Sequence, residues 1–113
     1  MKAFNTRNGK QLADNVTVAD SLFTRMKGLL GKADIKTGEA LWIRPCTSIQ
    51  TFFMRFPIDV VFLNKRKQVV AFKRNVQPNR LTPIYLSAVS VLKLPIGTID
   101  ASNTETGDTI DIA

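Results

Sequence analysis

The hydrophobic pattern in the middle of the chain alternates with a period of two. Between residues 52 and 62 every even position is apolar: Phe52, Met54, Phe56, Ile58, Val60 and Phe62. The odd positions include two charges and a proline: Arg55, Asp59 and Pro57. Such alternation is typical of a β-strand with its even face in the core. Because proline cannot donate a ladder hydrogen bond, the pattern predicts a loop or short strand to Phe56, followed by a central strand over 58–63.

Shorter apolar segments predict the other strands. They are a hairpin over residues 2–18, then "ALWI" before Arg44, "QVVAF" after the turn "NKRK", "SAVSVLKL" and "TIDI". In the hairpin, Asn8-Gly9 supplies residues that tolerate the left-handed conformations of a type I′ turn. The segment "TIDASNTETGD" predicts one helical turn or a loop. Sequential hairpins predict a mostly antiparallel arrangement of about seven strands.

One segment has clear helical periodicity. Within "ADSLFTRMKGLLGK" five apolar residues recur at helical spacing: Leu22, Phe23, Met26, Leu29 and Leu30. Asp20 can cap the N-terminus of this helix, and Gly31 can end it. The sequence therefore predicts a mainly β fold with one short helix.

Composition excludes several kinds of chemistry. The chain has 113 residues, which is the size of one domain over residues 1–113. Its single cysteine excludes an internal disulfide and a thiolate zinc site. The absence of histidine excludes Ser-His and Cys-His pairs and histidine metal clusters. We therefore expect no metal and no cofactor.

The location of the protein is predicted from two absences. The N-terminal segment has no apolar run long enough for a signal peptide, and no segment approaches the roughly 20 apolar residues of a membrane span. We expect a cytoplasmic protein without a membrane span. A mature exported form whose leader had been removed would show the same features.

The charge of the chain is unevenly distributed. The formal net charge is +7. Residues 60–93 contain seven basic residues and no acid, whereas residues 94–113 contain four acids and no base. This asymmetry either marks an anionic partner or is partly neutralised by the acidic tail folding back beside the basic segment.

The basic turn "NKRK" and the following "KRN" raise the question of nucleic-acid binding. Phosphate contacts by these residues are feasible, but Phe72 is the only aromatic residue interleaved with them. The sequence has neither a helix-turn-helix nor an RNP-type motif. The main interpretation is a solvated hairpin tip, so specific nucleic-acid binding is not expected.

Four motifs resemble a known family. They are "RMKGLLG" at 25–31, "SIQTFFMRFPIDVVFLN" at 48–64, "VLKLPIGT" at 91–98 and "GDTI" at 107–110. In order and spacing they are similar to the bacterial and archaeal family called domain of unknown function 192. The resemblance covers residues 22–112 and implies a compact antiparallel β sandwich or partly open barrel with a small helix. It implies no established activity.

Three positions depart from the pattern of that family. Gln50 stands where many relatives have a histidine, so no mechanism can rest on an imidazole there. Lys67 stands where a glycine is common, which predicts a left-handed backbone at this lysine. Lys93 stands where an acid is usual.

Asp59 is the strongest candidate for chemistry. A carboxylate on a central strand is costly unless it is paired or hydrogen-bonded. It is either a general acid or base, or a structural group held by backbone N–H groups or by an arginine. Arg55 lies about 13 Å away along an extended chain, too far for direct contact. We expect Asp59 to be buried and the Arg55 head to reach solvent or a shallow cleft.

Other polar residues near this motif complete the candidate site. Arg55 suits a carboxylate or phosphate, or lies with its stem on apolar surface. Cys46 is either activated by a nearby cation or an inert small hydrophobe. The predicted ligand-binding set, which could take a small anionic ligand, is Arg55, Asp59, Thr51, Gln50, Cys46 and Arg44.

The sequence leaves three functional hypotheses. The first is a binding or accessory module with a small polar site near Arg55 and Asp59. The alternative is a hydrolase- or lyase-like enzyme that uses Asp59 as acid or base. A weaker alternative is nonspecific nucleic-acid association through the basic hairpin. The missing histidine, metal cluster and Gly-rich phosphate loop favour the binding module.

Overall fold

Eight strands form two sheets in the computed structural model, which describes residues 1–19, 35–52 and 54–113. The strands are β1 Ala3–Asn5, β2 Gln11–Ala13, β3 Asn15–Ala19, β4 Glu39–Ile43, β5 Ile58–Leu63, β6 Val69–Val76, β7 Ser90–Pro95 and β8 Ile110–Ile112. One short helix, α1, spans Thr98–Ala101. The helix predicted over 20–31 lies outside the described residues.

The larger sheet has five strands in the order β3-β4-β7-β5-β6, and the smaller has three in the order β2-β1-β8. β3 and β4 are parallel, and every other pair of neighbouring strands is antiparallel. The prediction of a mainly β, mostly antiparallel fold is confirmed. The two sheets form a sandwich without a closed barrel.

β5 is central, as the alternating pattern predicts. It lies between β7 and β6, and all six of its residues are buried. Because successive side chains point to opposite faces, β5 contributes to two hydrophobic cores among the described residues. Val61 and Leu63 belong to the core between the two sheets. Ile58, Val60 and Phe62 belong to a second core on the outer face of the larger sheet.

The even-position pattern does not extend before Pro57. Met54 is buried in the second core, but Phe52 is 48% exposed and Phe56 is 55% exposed. Residues 44–57 contain no extended strand in the described part of the chain, apart from an isolated bridge at Gln50. Without a pleat, alternate side chains are not held on one side, so the prediction that the even face of this segment is in the core is wrong.

The first hairpin is present, but its turn differs from the prediction. β1 and β2 pair with each other, while residues 15–19 join the other sheet as β3. The turn is a longer loop over residues 6–10. Gly9 has a φ of 72°, whereas Asn8 does not enter the left-handed region that a type I′ turn requires. The Asn8 side chain instead accepts a hydrogen bond from the Lys10 N–H at 2.9 Å, which stabilises the longer loop.

The basic turn between β5 and β6 has the backbone conformation expected from the sequence. Lys67 has a φ of 60°, in the left-handed region. The Asn64 side chain accepts hydrogen bonds from the N–H groups of Arg66 and Gln68, at 2.9 and 3.0 Å. Lys65 and Arg66 are exposed. None of the helices that the structure describes is long and apolar enough to cross a membrane.

Candidate functional site

Asp59 is buried, with only 1% of its surface exposed. The start of β5 lies opposite the end of β7, where Ile58 pairs with Pro95. Helix α1 follows β7 directly, so its N-terminus comes close to Asp59. The carboxylate oxygen Oδ2 accepts a hydrogen bond from the Ile99 N–H at 3.0 Å. Asp59 thereby caps a helix whose N-cap residue is Gly97, which has no side chain of its own to do so.

The other carboxylate oxygen of Asp59 accepts a hydrogen bond from the backbone at a β-bulge in β6. Ile58 pairs with Val76 and Val60 pairs with Lys73, so β6 has one extra residue opposite Asp59. Asn75 has a φ of 52°, a conformation that asparagine tolerates better than most residues. Its N–H donates to Asp59 Oδ1 at 3.0 Å. The expectation of a buried carboxylate held by backbone N–H groups is confirmed.

Arg55 lies apart from Asp59. Its side chain is exposed, as expected. No ion pair or hydrogen bond joins the two side chains within the part of the chain that the structure describes. The two charges of the motif therefore have different surroundings, and they do not form one catalytic pair.

Thr51 forms several hydrogen bonds with the loop that follows β6. It is 1% exposed, and its hydroxyl donates to the Gln77 carbonyl at 2.7 Å and accepts from the Arg80 N–H at 2.9 Å. Its backbone N–H donates to the Arg80 carbonyl at 2.9 Å, and its carbonyl accepts from Asn79 at 3.0 Å. The adjacent Gln50 forms a β-bridge with Leu81. Both predicted residues thus support residues 77–81.

Between the end of β6 and this loop lies a cleft of about 300 Å³, here called the β6 cleft. Its lining residues are Lys73, Asn75, Val76, Gln77, Arg80, Leu81, Thr82 and Pro83. Two of them are cations, Lys73 and Arg80, and none is an acid. Both cations are exposed, and neither forms an ion pair with any residue that the structure describes. The cleft therefore has a positive lining that is open to an anionic group.

Two of the predicted site residues, Asp59 and Thr51, fix the backbone of residues that line the β6 cleft. Asp59 fixes the backbone of Asn75, and Thr51 fixes the backbone of Gln77 and Arg80. Asn75 Oδ1 in turn accepts a hydrogen bond from Gln77 Nε2 at 2.8 Å. None of Asp59, Thr51 and Gln50 lines the cleft itself.

The residues that line the β6 cleft were not predicted from the sequence. The predicted site lay in the motif around residues 44–59, where charges interrupt an apolar run. A signal was present in the acid-free segment 60–93, where Lys73 and Arg80 flank a proline-containing loop. Charge alone did not show that the loop turns back to face the end of β6.

Cys46 and Arg44 lie elsewhere. The Cys46 thiol is buried and donates a hydrogen bond to the Ser48 carbonyl at 2.8 Å. The Arg44 guanidinium lies over the Trp42 ring, 4.3 Å from its centroid. Neither residue lines the β6 cleft.

Lys93 is an internal cation on β7, with 1% of its surface exposed. It lies between Leu41 of β4 and Val60 of β5 in the sheet. Burial lowers its pKa to about 8, and interaction with Cys46 opposes that shift. No hydrogen bond joins its ammonium group to another of the described residues.

Asp108 is the centre of a second polar cluster, which ties the first hairpin to the C-terminal segment. Its carboxylate accepts hydrogen bonds from Asn5 Nδ2, Arg7 Nε and the Glu105 N–H, each at 2.8 Å. The hydrogen bond from Arg7 is the main cause that lowers the pKa of Asp108 to about 2, and those from Asn5 and Glu105 add to it.

Another acid of the same segment, Asp100, pairs with Arg74 at 2.6 Å, so the acidic tail partly neutralises the basic segment as expected.

No group of three or more metal-ligating side chains occurs among the described residues.

The fold and this site define a two-sheet β domain with a basic cleft beside an edge strand. The sequence of residues 3–112 matches domain of unknown function 192, described as "Uncharacterized ACR". The chain belongs to this family, and the resemblance of its motifs is confirmed.

Archaeal relatives support the same assignment. A UPF0127 protein of Thermococcus sibiricus is 35% identical over 112 residues, which cover 95% of this chain and 71% of that protein. A UPF0127 protein of Pyrococcus furiosus is 30% identical over 112 residues, which cover 95% of this chain and 94% of that protein. These names state no activity.

Two solved structures share the fold. A chain from Sinorhizobium meliloti 1021, provisionally described as a transcription regulator, has a TM-score of 0.78 at 17% identity, with 97% of this chain and 89% of that chain covered. A protein of unknown function from Novosphingobium aromaticivorans DSM 12444 has a TM-score of 0.74 at 16% identity, with 99% and 93% covered. At these identities the likeness establishes the fold alone.

Proposed function

We propose that this chain, acting as a single domain, is a binding module that takes a small anionic ligand in the β6 cleft. The observation that carries the proposal is that two cations, Lys73 and Arg80, line the same cleft of about 300 Å³, which has no acidic lining residue. Arginine and lysine form charge-assisted hydrogen bonds with carboxylate and phosphate groups. The cytoplasmic location stays a prediction from the sequence.

The hydrogen bonds behind the cleft support a binding role. Asp59 and Thr51 fix the backbone at Asn75, Gln77 and Arg80 before any ligand arrives. A wall that is already ordered loses little conformational entropy on binding, which favours affinity. The motif that is typical of the family therefore contributes to function by holding the cleft in shape.

The burial of Asp59 argues against its use as an acid or base. Both of its oxygens accept backbone hydrogen bonds, and its surface is 1% exposed. A general base must come within hydrogen-bond reach of the proton it removes. A substrate would have to displace α1 or the end of β6 to reach this carboxylate.

The test is calorimetric titration with inorganic phosphate, citrate and acetate at constant ionic strength. The variant Lys73→Gln/Arg80→Gln removes both cations of the cleft. The control Lys65→Gln/Arg66→Gln removes the same charge from the exposed turn. We expect saturable binding by the natural sequence and by the control, and affinity about tenfold lower in the cleft variant, the loss of roughly one charge-assisted hydrogen bond.

An equal loss of affinity in both double variants would contradict the proposal, because it would show that net charge alone attracts the anions. Absence of saturable binding to all three anions would also contradict it.

A further inference from the structure

β6 is an edge strand. It is the last strand of the five-stranded sheet, so one side pairs with β5, and none of the strands that the structure describes lies on the other. With eight residues it is the longest strand of the described chain. A long edge strand presents a row of backbone N–H and C=O groups that another extended chain can pair with.

Among the described residues, backbone hydrogen bonds cover only the beginning of this edge. The Val69 N–H donates to the Asp108 carbonyl, and the Val69 carbonyl accepts from the Gly107 N–H, both at 2.8 Å. From residue 70 to residue 74 the strand makes no further backbone hydrogen bond on this side to any described residue. In an antiparallel strand, alternate residues point these groups away from the partner. The pairing of β6 with β5 is regular over residues 71–73 and irregular on either side, so the open stretch offers a regular edge to about three residues of a new strand, roughly 10 Å.

The charges along the edge select the kind of strand that can pair with it. Lys73 is exposed at the end of the open stretch, and the β6 cleft with Arg80 follows immediately, whereas the neighbouring Arg74 is already paired with Asp100. Pairing with a second copy of β6 would bring these cations together, which disfavours self-association. A strand that carries carboxylates would have the complementary charge.

We propose that the open edge of β6 accepts an extended acidic peptide as an additional strand, with one of its carboxylates in the β6 cleft. Main-chain hydrogen bonds would supply affinity, and the cleft would supply selectivity for the acidic side chain or chain end. The inference rests on the proposed function, because the cleft is the anchor for the carboxylate.

The test uses a fluorescein-labelled peptide, Glu-Thr-Glu-Val-Glu-Thr-Glu, in fluorescence anisotropy. Two further peptides of the same sequence carry backbone N-methyl groups, one at the odd positions and one at the even positions. N-methylation removes the hydrogen-bond donor and leaves the charge unchanged. Because only alternate residues face the edge strand, we expect one methylated peptide to bind at least about tenfold more weakly than the unmethylated peptide.

A second readout locates the pairing on the protein. Binding of the unmethylated peptide should slow hydrogen exchange at amides of residues 70–74, while the turn at residues 64–68 remains unchanged. Equal affinity of all three peptides, or unchanged exchange at residues 70–74, would overturn the inference.

The small-anion titration separates this inference from the proposed function. If citrate or phosphate binds the cleft but backbone methylation has no effect, the pairing at the edge is wrong and the anion site stands. If neither the anions nor the peptides bind, both proposals are wrong.

Discussion

Asp59 and Lys93 are charged residues on adjacent central strands, and their surroundings differ. Asp59 accepts a backbone hydrogen bond at each carboxylate oxygen. Lys93 is buried and donates no hydrogen bond to the described residues, and burial lowers its pKa to about 8. Burying a charge costs little free energy only where hydrogen-bond donors or acceptors replace the water. Substitutions at the two positions should therefore have opposite effects on stability.

Replacing Asp59 should destabilise the fold far more than replacing Arg55. Asp59→Ala leaves the N–H groups of Ile99 and Asn75 without their acceptor, and we expect a loss of about 2–4 kcal/mol in the free energy of unfolding. Arg55 is exposed, and Arg55→Ala should cost less than about 1 kcal/mol. Urea unfolding of both variants checks this. Small and equal losses would show that the Asp59 carboxylate is free for chemistry, and large losses at both positions would show a shared buried network.

Replacing Lys93 by methionine should stabilise the protein. The pKa of Lys93 is lowered from 10.5 to about 8, so between these values the unfolded chain binds more protons than the folded one. The burial penalty is therefore fully present below about pH 8 and disappears as pH rises toward 10.5. We expect Lys93→Met to raise the free energy of unfolding by about 1–3 kcal/mol at pH 7.

Chemical unfolding at pH 7 and pH 10 measures this effect. The gain from Lys93→Met should shrink at the higher pH, where the wild-type lysine is neutral in the folded state. Lys73→Met, at an exposed position, is the matched control and should change stability little at either pH. A gain from Lys93→Met that does not depend on pH would show that the buried charge of Lys93 is not what destabilises the fold.

At the scale of elements, regular strands could be predicted and irregular segments could not. β5 was predictable because its residues are apolar except for Asp59 and follow a proline that ends ladder pairing. The segment 44–57 was not, since its apolar residues mimic a strand while Phe52 and Phe56 face solvent. The candidate site was predictable only in part: the sequence indicated that Asp59 is buried, but the β6 cleft depends on tertiary contacts between Thr51 and a loop about 26 residues later.

The contact between the first hairpin and the C-terminal segment should be sensitive to acid. The pKa of Asp108 is lowered from 3.8 to about 2, so its contribution to stability is present above about pH 4 and is lost as pH falls toward 2. Asp108→Asn replaces an acceptor of Asn5 and Arg7 by an amide, and we expect it to cost about 1–2 kcal/mol at pH 7.

Urea unfolding across this pH range checks the prediction. The difference between wild type and Asp108→Asn should narrow between pH 4 and pH 2. Asp111→Asn, at an exposed position in β8, is the control and should cost little at either pH. A difference that stays constant down to pH 2 would contradict the assigned role of the carboxylate.

At the scale of the whole molecule, a net charge of +7 predicts weak attraction to any polyanion. We expect nonspecific binding to duplex and single-stranded DNA with a Kd above about 10 μM at physiological salt. The affinity should fall steeply as the salt concentration rises. Replacing Lys65, Arg66 and Lys67 by glutamine should lower the slope of log affinity against log salt by about three units or less. Sub-micromolar, sequence-dependent binding would show that nucleic acid is a specific partner.

Whether anions bind in the β6 cleft can be decided by following amide chemical shifts during a citrate titration at constant ionic strength. We expect saturable shifts at amides of the cleft, those of Asn75, Gln77, Arg80, Leu81 and Thr82. The amides of Arg55 and of the basic turn at residues 64–68 should stay nearly unchanged. Saturable shifts centred on Arg55 or on the basic turn, or small linear shifts spread over all basic residues, would contradict anion binding in the cleft.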